Sequence, residues 1–167
     1  CSSDLAPCSR ARGTRLVVDT FGLPLAAALQ AGTTLIKPSL RELREVLRQP
    51  LEHPADQCAA AQALVHSGQT EMVALSLGAQ GAVLATRDGV WQAPALDVSA
   101  ASGTTGAGDC FLAALVWSLD RGAPPPEALR WGMAAGAAAL LVPGTALARA
   151  TDVHRLQSQV IVRASPV

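Results

Sequence analysis

The sequence is organised around one glycine-rich stretch, Gly103-Thr-Thr-Gly-Ala-Gly-Asp109, which leads into an apolar segment predicted to be a helix from about Ala107 to Leu119. Glycine lets the backbone adopt positive φ and approach a ligand with no Cβ in the way. A loop that runs directly into a helix points its N–H groups outward at the positive end of the helix dipole, which favours a bound phosphate. The stretch therefore predicts an anion site, whose candidate donors are the amides of Thr105, Gly106, Ala107, Gly108 and Asp109.

Two commoner phosphate-binding motifs do not fit this stretch. A Walker A loop requires Gly-Lys-Ser/Thr, and no lysine occurs near the loop. A dinucleotide fingerprint that starts at Gly106 would place its third glycine at Phe111, where a large ring would block the packing of helix on strand. Both motifs are therefore excluded.

Asp109 is unexpected at an anion site because a carboxylate repels phosphate. A general base that takes the proton from an attacking hydroxyl gives this carboxylate a function. Phosphoryl transfer otherwise asks the protein mainly for positioning and for stabilisation of charge. The alternative is that Asp109 only satisfies amides at the start of the helix, which is an ordinary role for Asp.

Apolar runs alternate with helical patterns over the rest of the chain, and Asp88-Gly89 is a hairpin signal between two of the runs. Asp56 is predicted to cap one of the helices. This alternation predicts an α/β fold of βαβ units with a mostly parallel sheet, in which ligands bind at the carboxyl ends of the strands. The predicted strands are 16–19, 35–36, 72–77, 82–86, 90–93, 96–98 and 160–162, and the predicted helices are 23–31, 39–48, 56–66, 107–119, 127–141 and 152–156.

Gly106-Ala-Gly-Asp109, after a strand and a threonine-rich turn, resembles the second signature of the ribokinase (PfkB) family of carbohydrate kinases. The resemblance implies a three-layer ribokinase-like sandwich with a mostly parallel central sheet, and a single nucleotide-binding and catalytic region over residues 1–167. It also implies that Asp109 is the catalytic base and that the amides of Gly106, Ala107 and Gly108 form the anion hole. The implied ligands are ATP, Mg²⁺ and a monovalent cation. Gly103 stands where the family usually has Asp or Ser, so it has no side chain with which to contact that cation.

Two segments upstream resemble the hexose-phosphate kinase branch of this family. Residues 18–25 resemble its DTxGxxL segment, and residues 35–43 resemble its IKPNxxEL segment. The second resemblance implies that Glu42 helps to hold Mg²⁺, largely through water, and that Lys37 and Ser39 contact phosphate, with Ser39 in place of the usual Asn. From the residues alone, Ser39 and Glu42 form a capping box and Lys37 is an ordinary surface lysine.

Two segments resemble the family's nucleotide pocket. Ser76-Leu-Gly-Ala-Gln-Gly81 resembles its SLGxxG turn, which implies that Ser76, Gly78 and Gly81 bind ATP. Gly136 and the Pro143–Thr145 turn resemble the part that borders the adenine. From the residues alone, the first segment is a strand with a tight turn, and Gly132 and Gly136 allow close packing of helices.

Composition excludes several other classes of protein. The chain has 167 residues with 50% hydrophobic residues and only 16% charged ones, which is typical of a folded domain and not of a disordered chain. Thirteen basic residues balance thirteen acidic ones and are scattered, so nothing predicts binding to nucleic acid or to a membrane surface. The four cysteines form no CxxC pair, which argues against zinc and favours reduced thiols in the cytoplasm.

The leading hypothesis is an ATP-dependent kinase that phosphorylates a hydroxyl of a hexose phosphate such as fructose 6-phosphate, fructose 1-phosphate or tagatose 6-phosphate. The alternatives are a non-catalytic nucleotide-binding or scaffold module, and a kinase of the same fold for a nucleoside or a vitamin precursor. The resemblance places the first βαβ units, the lid and most sugar-binding groups upstream of Cys1. The chain is accordingly expected to be the C-terminal part of an enzyme that is a homodimer at full length.

Overall fold

The computed structural model describes residues 5, 8–9, 11–98, 105–144 and 146–166. Gly103 and Thr145, both singled out from the sequence, lie outside the described residues. The described strands are β1 Val17–Val18, β2 Thr33–Ile36, β3 Thr70–Ser76, β4 Ala82–Thr86, β5 Gly89–Ala93 and β6 Arg163–Ser165. The helices beyond β1 are α1 Gly22–Ala31, α2 Leu40–Leu47, α3 Pro54–His66, α4 Ala107–Asp120, α5 Pro125–Leu140 and α6 Ala150–Gln157, with a 3₁₀ turn at Gly78–Gln80.

The six described strands form one sheet in the order β1-β2-β3-β4-β5-β6. The first three are parallel, with Val17 opposite Leu35 and Leu35 opposite Met72. Helices α1, α2 and α3 connect these parallel strands, as the alternating pattern predicted. The hairpin prediction is also confirmed, since β4 and β5 are joined by a turn in which the Asp88 N–H donates to Thr86 Oγ1 over 3.1 Å.

The contacts divide the chain into two compact units. The first comprises Cys1–Leu77, Val83–Val90 and Ser165–Val167, and the second comprises Gly78–Ala82 and Trp91–Ala164. The core of the first unit is built from the buried faces of α1, α2 and α3 and the inner residues of β2, β3 and β4. Its largest fully buried side chains include Leu25, Ile36, Leu43 and Leu75.

In the second unit, α4 packs against α5 and α5 packs against α6. Trp131 makes edge-to-face contacts with Trp117, at 5.5 Å between ring centroids, and with His154, at 5.2 Å. The alanine and glycine residues of α5 are mostly buried, which is the close packing that the small residues predicted. Within the described residues, no helix is both long and apolar enough to cross a bilayer.

Three local predictions were wrong. The last strand is Arg163–Ser165 and not 160–162, and residues 94–98 form no strand. His53, not Asp56, is the N-cap of α3. Asp56 is the third residue of this helix, where its carboxylate accepts a hydrogen bond from the His53 N–H over 3.3 Å. Pro54 occupies the first helical position and moves the start of α3 upstream of the predicted one.

Candidate active site

The N-terminus of α4 has no side-chain cap. Gly106 is the N-cap, with φ of 82°, and within the part of the chain that the structure describes no side chain caps the first turn. The Cys110 N–H is bonded to the Gly106 carbonyl at 2.9 Å, so the helical hydrogen bonds begin there. The amides that precede Cys110 have no acceptor within the helix and remain available for an anion.

Asp109 is the third residue of α4 and is exposed. Among the described residues, its carboxylate makes no hydrogen bond or ion pair. It therefore does not satisfy the helix amides, which was the alternative to a catalytic role. An exposed carboxylate one turn into an uncapped helix is free to meet a substrate hydroxyl.

Gly136 lies in α5, beneath the first turn of α4. A Cβ at this position would lie 3.3 Å from the Ala107 carbonyl oxygen. Gly136 is half-buried. The described geometry thus gives Gly136 a packing role against the first turn of α4, while its predicted contact with a nucleotide stays a prediction.

In the first unit, three candidate residues lie at the carboxyl ends of neighbouring parallel strands. Lys37 follows β2, Ser76 ends β3, and Asp19 follows β1. The Lys37 ammonium is paired with the Asp19 carboxylate at 3.1 Å. Lys37 is only 8% exposed, so it is not the ordinary surface lysine that the residues alone allowed. It is also the only lysine in the chain, where arginine supplies every other basic residue.

Ser39 and Glu42 form the predicted capping box at the start of α2. The Glu42 N–H donates to Ser39 Oγ over 3.3 Å, and the Ser39 N–H donates to Glu42 Oε2 over 2.8 Å. Ser39 also pairs with Ser76 in an isolated parallel bridge. The Ser76 N–H and hydroxyl both point at the Pro38 carbonyl, at 2.9 and 3.4 Å. Lys37, Ser39, Glu42 and Ser76 are thereby brought into one region of the first unit.

Gly78 and Gly81 differ in what the structure requires of them. Gly78 is exposed, begins the 3₁₀ turn and has no atom close to where a Cβ would stand. Gly81 is buried, and a Cβ there would lie 2.0 Å from the Ala93 carbonyl oxygen, so only glycine fits. The close backbone contact explains Gly81 without a ligand, whereas Gly78 has space for one.

Sequence reasoning noted Asp19 only as part of a motif and missed its pairing with Lys37. The signal was present, because an acid directly after one parallel strand and a base directly after the next lie at the same edge of the sheet. No group of three or more His, Cys, Asp or Glu side chains among the described residues could hold a metal ion.

The comparison with known families gives the identity of the fold. Residues 3–152 match the family described as pfkB family carbohydrate kinase. The chain belongs to this family. As a pfkB family member, it has its Gly106–Asp109 signature at the uncapped start of α4, and its Lys37–Glu42 segment between β2 and the first turn of α2.

Similar proteins include several phosphofructokinases. The chain is 42% identical over 151 residues to an ATP-dependent 6-phosphofructokinase isozyme 2 of Mycobacterium tuberculosis, covering 90% of this chain and 44% of that protein. The isozyme 2 of Escherichia coli is 36% identical over 155 residues, covering 92% of this chain and 50% of that protein. The chain thus spans about half the length of the curated relatives it matches.

Solved structures confirm the predicted ribokinase-like fold. Phosphofructokinase-2 from Escherichia coli in complex with potassium superposes with a TM-score of 0.90 at 34% identity, over 95% of this chain and 51% of that one. A ribokinase of Arabidopsis thaliana, solved with ribose and ATP, superposes with a TM-score of 0.82 at 23% identity and supports the fold alone.

Proposed function

We propose that the protein containing this chain is an ATP-dependent kinase that transfers the γ-phosphoryl group to a hydroxyl of a hexose phosphate, with fructose 6-phosphate as the first candidate. The observation that carries the proposal is the uncapped start of α4, with an exposed carboxylate at its third residue, in a chain of the pfkB family. The names of the similar phosphofructokinases support the choice of substrate.

Asp109 is the general base in this proposal. Its carboxylate accepts the proton from the substrate hydroxyl as the oxygen attacks the γ-phosphorus, and the bond from this phosphorus to the β–γ bridging oxygen breaks to release ADP. The amides of residues 105–109 stabilise the negative charge that develops on the transferred group. An open helix N-terminus suits this task because the amides do not have to break another hydrogen bond first.

Several residues are candidate contacts for the nucleotide. The Lys37 ammonium donates a hydrogen bond to a phosphate oxygen, and its pairing with Asp19 keeps the charge in place before ATP binds. The hydroxyls of Ser39 and Ser76, together with the backbone at Gly78, Gly81 and Gly136, are the remaining candidate contacts. Each of these assignments rests on the family resemblance as well as on the position of the residue.

Glu42 is the candidate protein ligand for Mg²⁺. The capping box uses Oε2, which leaves Oε1 for a metal-bound water. A single carboxylate fits Mg²⁺, which commonly keeps several waters and binds through one or two carboxylates and the substrate phosphates. The ion would neutralise charge on the phosphates.

Two further features are extended from the Escherichia coli neighbours. The potassium complex of the Escherichia coli enzyme supports a monovalent cation as a further ligand of the full-length protein. A tetrameric inhibited form is described for the same enzyme, which supports self-association at full length. A cytoplasmic location stays a prediction.

The test is Asp109→Asn in the full-length protein. The amide keeps the size of the side chain but is not a base, so we expect kcat to fall by about 10²–10⁴-fold while ATP still binds. Asp88→Asn is the matched control, because it makes the same change in the β4–β5 turn and Asn-Gly is equally suited to a hairpin.

Near-normal turnover of Asp109→Asn would show that Asp109 is not the base. A wild-type protein that transfers phosphate to no hexose phosphate would contradict the kinase proposal itself. That second result would favour a scaffold or a kinase for another acceptor.

A further inference from the structure

The N-terminal part of α4 packs against two glycines of α5. Gly132 and Gly136 are one helical turn apart, so they lie on the same face of α5. We call them the α5 notch. Phe111 of α4 is 5% exposed and packs against both of them.

A Cβ at either glycine of the notch would make unusually short contacts with α4. A Cβ at Gly132 would lie 3.0 and 3.1 Å from two ring carbons of Phe111 and 3.1 Å from the Phe111 carbonyl oxygen. A Cβ at Gly136 would lie 3.3 Å from the Ala107 carbonyl oxygen and 3.4 Å from the Phe111 Cβ. The two positions therefore contact different parts of α4: Gly132 meets the Phe111 ring and backbone, and Gly136 meets the first turn.

A Cβ this close to the Ala107 oxygen would act on the proposed anion site directly. The peptide bond between Ala107 and Gly108 is planar, so the carbonyl of Ala107 and the N–H of Gly108 point in opposite directions within one rigid unit. In a helix the carbonyl points toward the C-terminus and the N–H toward the N-terminus. A group that fixes the position of the Ala107 oxygen therefore also fixes the direction of the Gly108 N–H, which is a candidate donor of the anion hole.

We propose that Gly136 is a positioning residue for phosphoryl transfer, which acts through the Ala107 carbonyl to aim the Gly108 N–H at the transferred group. Gly132 has only a packing role, one turn further along the interface. The inference rests on the proposed function, since it assigns a residue that supports the anion hole of that reaction. This role is separate from the backbone contact with the nucleotide that is proposed above for Gly136.

The two glycines give a matched pair of variants in the full-length protein. Gly136→Ala forces the Ala107–Gly108 peptide to shift by a few tenths of an ångström, because the clash is with backbone that cannot rotate away. We expect kcat to fall by about 10-fold or more. A donor of this kind accelerates the reaction by about 10²–10³-fold, and a displaced donor loses part of that acceleration. The KM for ATP should change by less than about 3-fold, because the lost interaction stabilises the transition state and not the bound ATP of the ground state.

Gly132→Ala is expected to show the opposite pattern. Its contacts are tighter, at 3.0–3.1 Å, so it should lower the melting temperature more than Gly136→Ala does. Because the Phe111 carbonyl lies inside α4, away from the open amides, kcat should stay within about 3-fold of wild type. The order of the two variants by stability is thus the reverse of their order by kcat.

Phe111→Leu provides a second, independent measurement. It removes the ring from Gly132 but leaves the contact between Gly136 and the Ala107 oxygen intact. Alone, it should lower the melting temperature and keep kcat. Combined with Gly132→Ala it should restore part of the lost stability, and combined with Gly136→Ala it should restore no kcat.

The inference is overturned if Gly136→Ala keeps kcat within 2-fold of wild type, or if kcat in all three variants simply follows the melting temperature. It is also overturned if the kcat of Phe111→Leu falls as far as that of Asp109→Asn. The measurement on Phe111→Leu decides the question even where Gly136→Ala does not fold. These outcomes differ from failure of the proposed function, in which the wild type itself transfers no phosphate.

Discussion

Helices α2 and α4 both begin in segments predicted to handle phosphate, but their first turns are satisfied in different ways. At α2 the Ser39 N–H and the Glu42 N–H are both bonded to side chains of the capping box, at 2.8 and 3.3 Å. At α4 the N-cap is Gly106, with φ of 82° and no side-chain hydrogen bond. One start is closed by its own side chains and the other is open.

This difference indicates how the two regions divide the work. The capping box at α2 occupies the Ser39 and Glu42 N–H groups, so in the proposed function this region acts on phosphate mainly through side chains such as Lys37 and Glu42. An open start offers the amides themselves, whose geometry depends on the backbone and on what supports it. We therefore expect substitutions in the first region to change charge and metal handling, and substitutions in the second to change backbone aim.

The largest effect in this set is expected from Lys37→Met. Methionine fills the buried site of the lysine stem but carries no ammonium, so a charged hydrogen bond to phosphate is lost. We expect kcat/KM for ATP to fall by about 10–100-fold, in line with the value of hydrogen bonds to charged groups. Steady-state kinetics of the full-length protein measures this change.

Asp19→Asn is the matched variant for the other half of the ion pair. It leaves the Lys37 ammonium with a neutral partner at a site where the lysine side chain is 10% exposed and Asp19 is 34% exposed. The more buried charge is the costlier one to leave unpaired, so Asp19→Asn should lower stability more than Lys37→Met does. If Lys37→Met keeps its kcat/KM, the lysine only balances Asp19.

The sequence alone was sufficient for most of the fold because local signals agreed with the final contacts. The capping box of α2, the Asp88-Gly89 hairpin and the start of α4 at Ala107 all depend on residues a few positions apart. The position of β6 depended also on its pairing partner in the sheet. Residues 160–162 have a good strand composition, but a strand needs a neighbour, and the sheet pairs Arg163–Ser165 instead.

The parts of the site that could not be predicted depend on distant partners. The pairing of Asp19 with Lys37 requires β1 and β2 to be adjacent in parallel register. The need for glycine at Gly81 comes from the backbone at Ala93, and that at Gly136 comes from the carbonyl of Ala107. The sequence shows where the glycines are, but it does not show which backbone atoms a side chain at those positions would contact.

A smaller effect is expected from Gly106→Ala, which tests whether the open start depends on its backbone conformation. No atom lies near the position of the new Cβ, so the cost is conformational and amounts to about 1–2 kcal/mol of unfolding free energy. Relaxation of φ should also move the amides and lower kcat several-fold. Gly68→Ala is the control, because Gly68 has φ of 77° and equally open surroundings at the end of α3. It should lose similar stability and no kcat; an equal loss of kcat in both variants would contradict the role of Gly106.

The smallest effects are expected at the closed start, where Glu42→Gln separates capping from metal handling. Glutamine can still accept the Ser39 N–H, so unfolding free energy should change by less than about 0.5 kcal/mol, while the Mg²⁺ concentration for half-maximal rate rises. Glu45→Gln, exposed on the same helix, controls for loss of charge. Ser39→Ala should instead cost about 1 kcal/mol through the lost cap, and Ser39→Asn should keep the cap while it restores the amide usual in the family. An unchanged Mg²⁺ dependence in Glu42→Gln would leave Glu42 with the capping role alone, and the closed helix start would then contribute only stability.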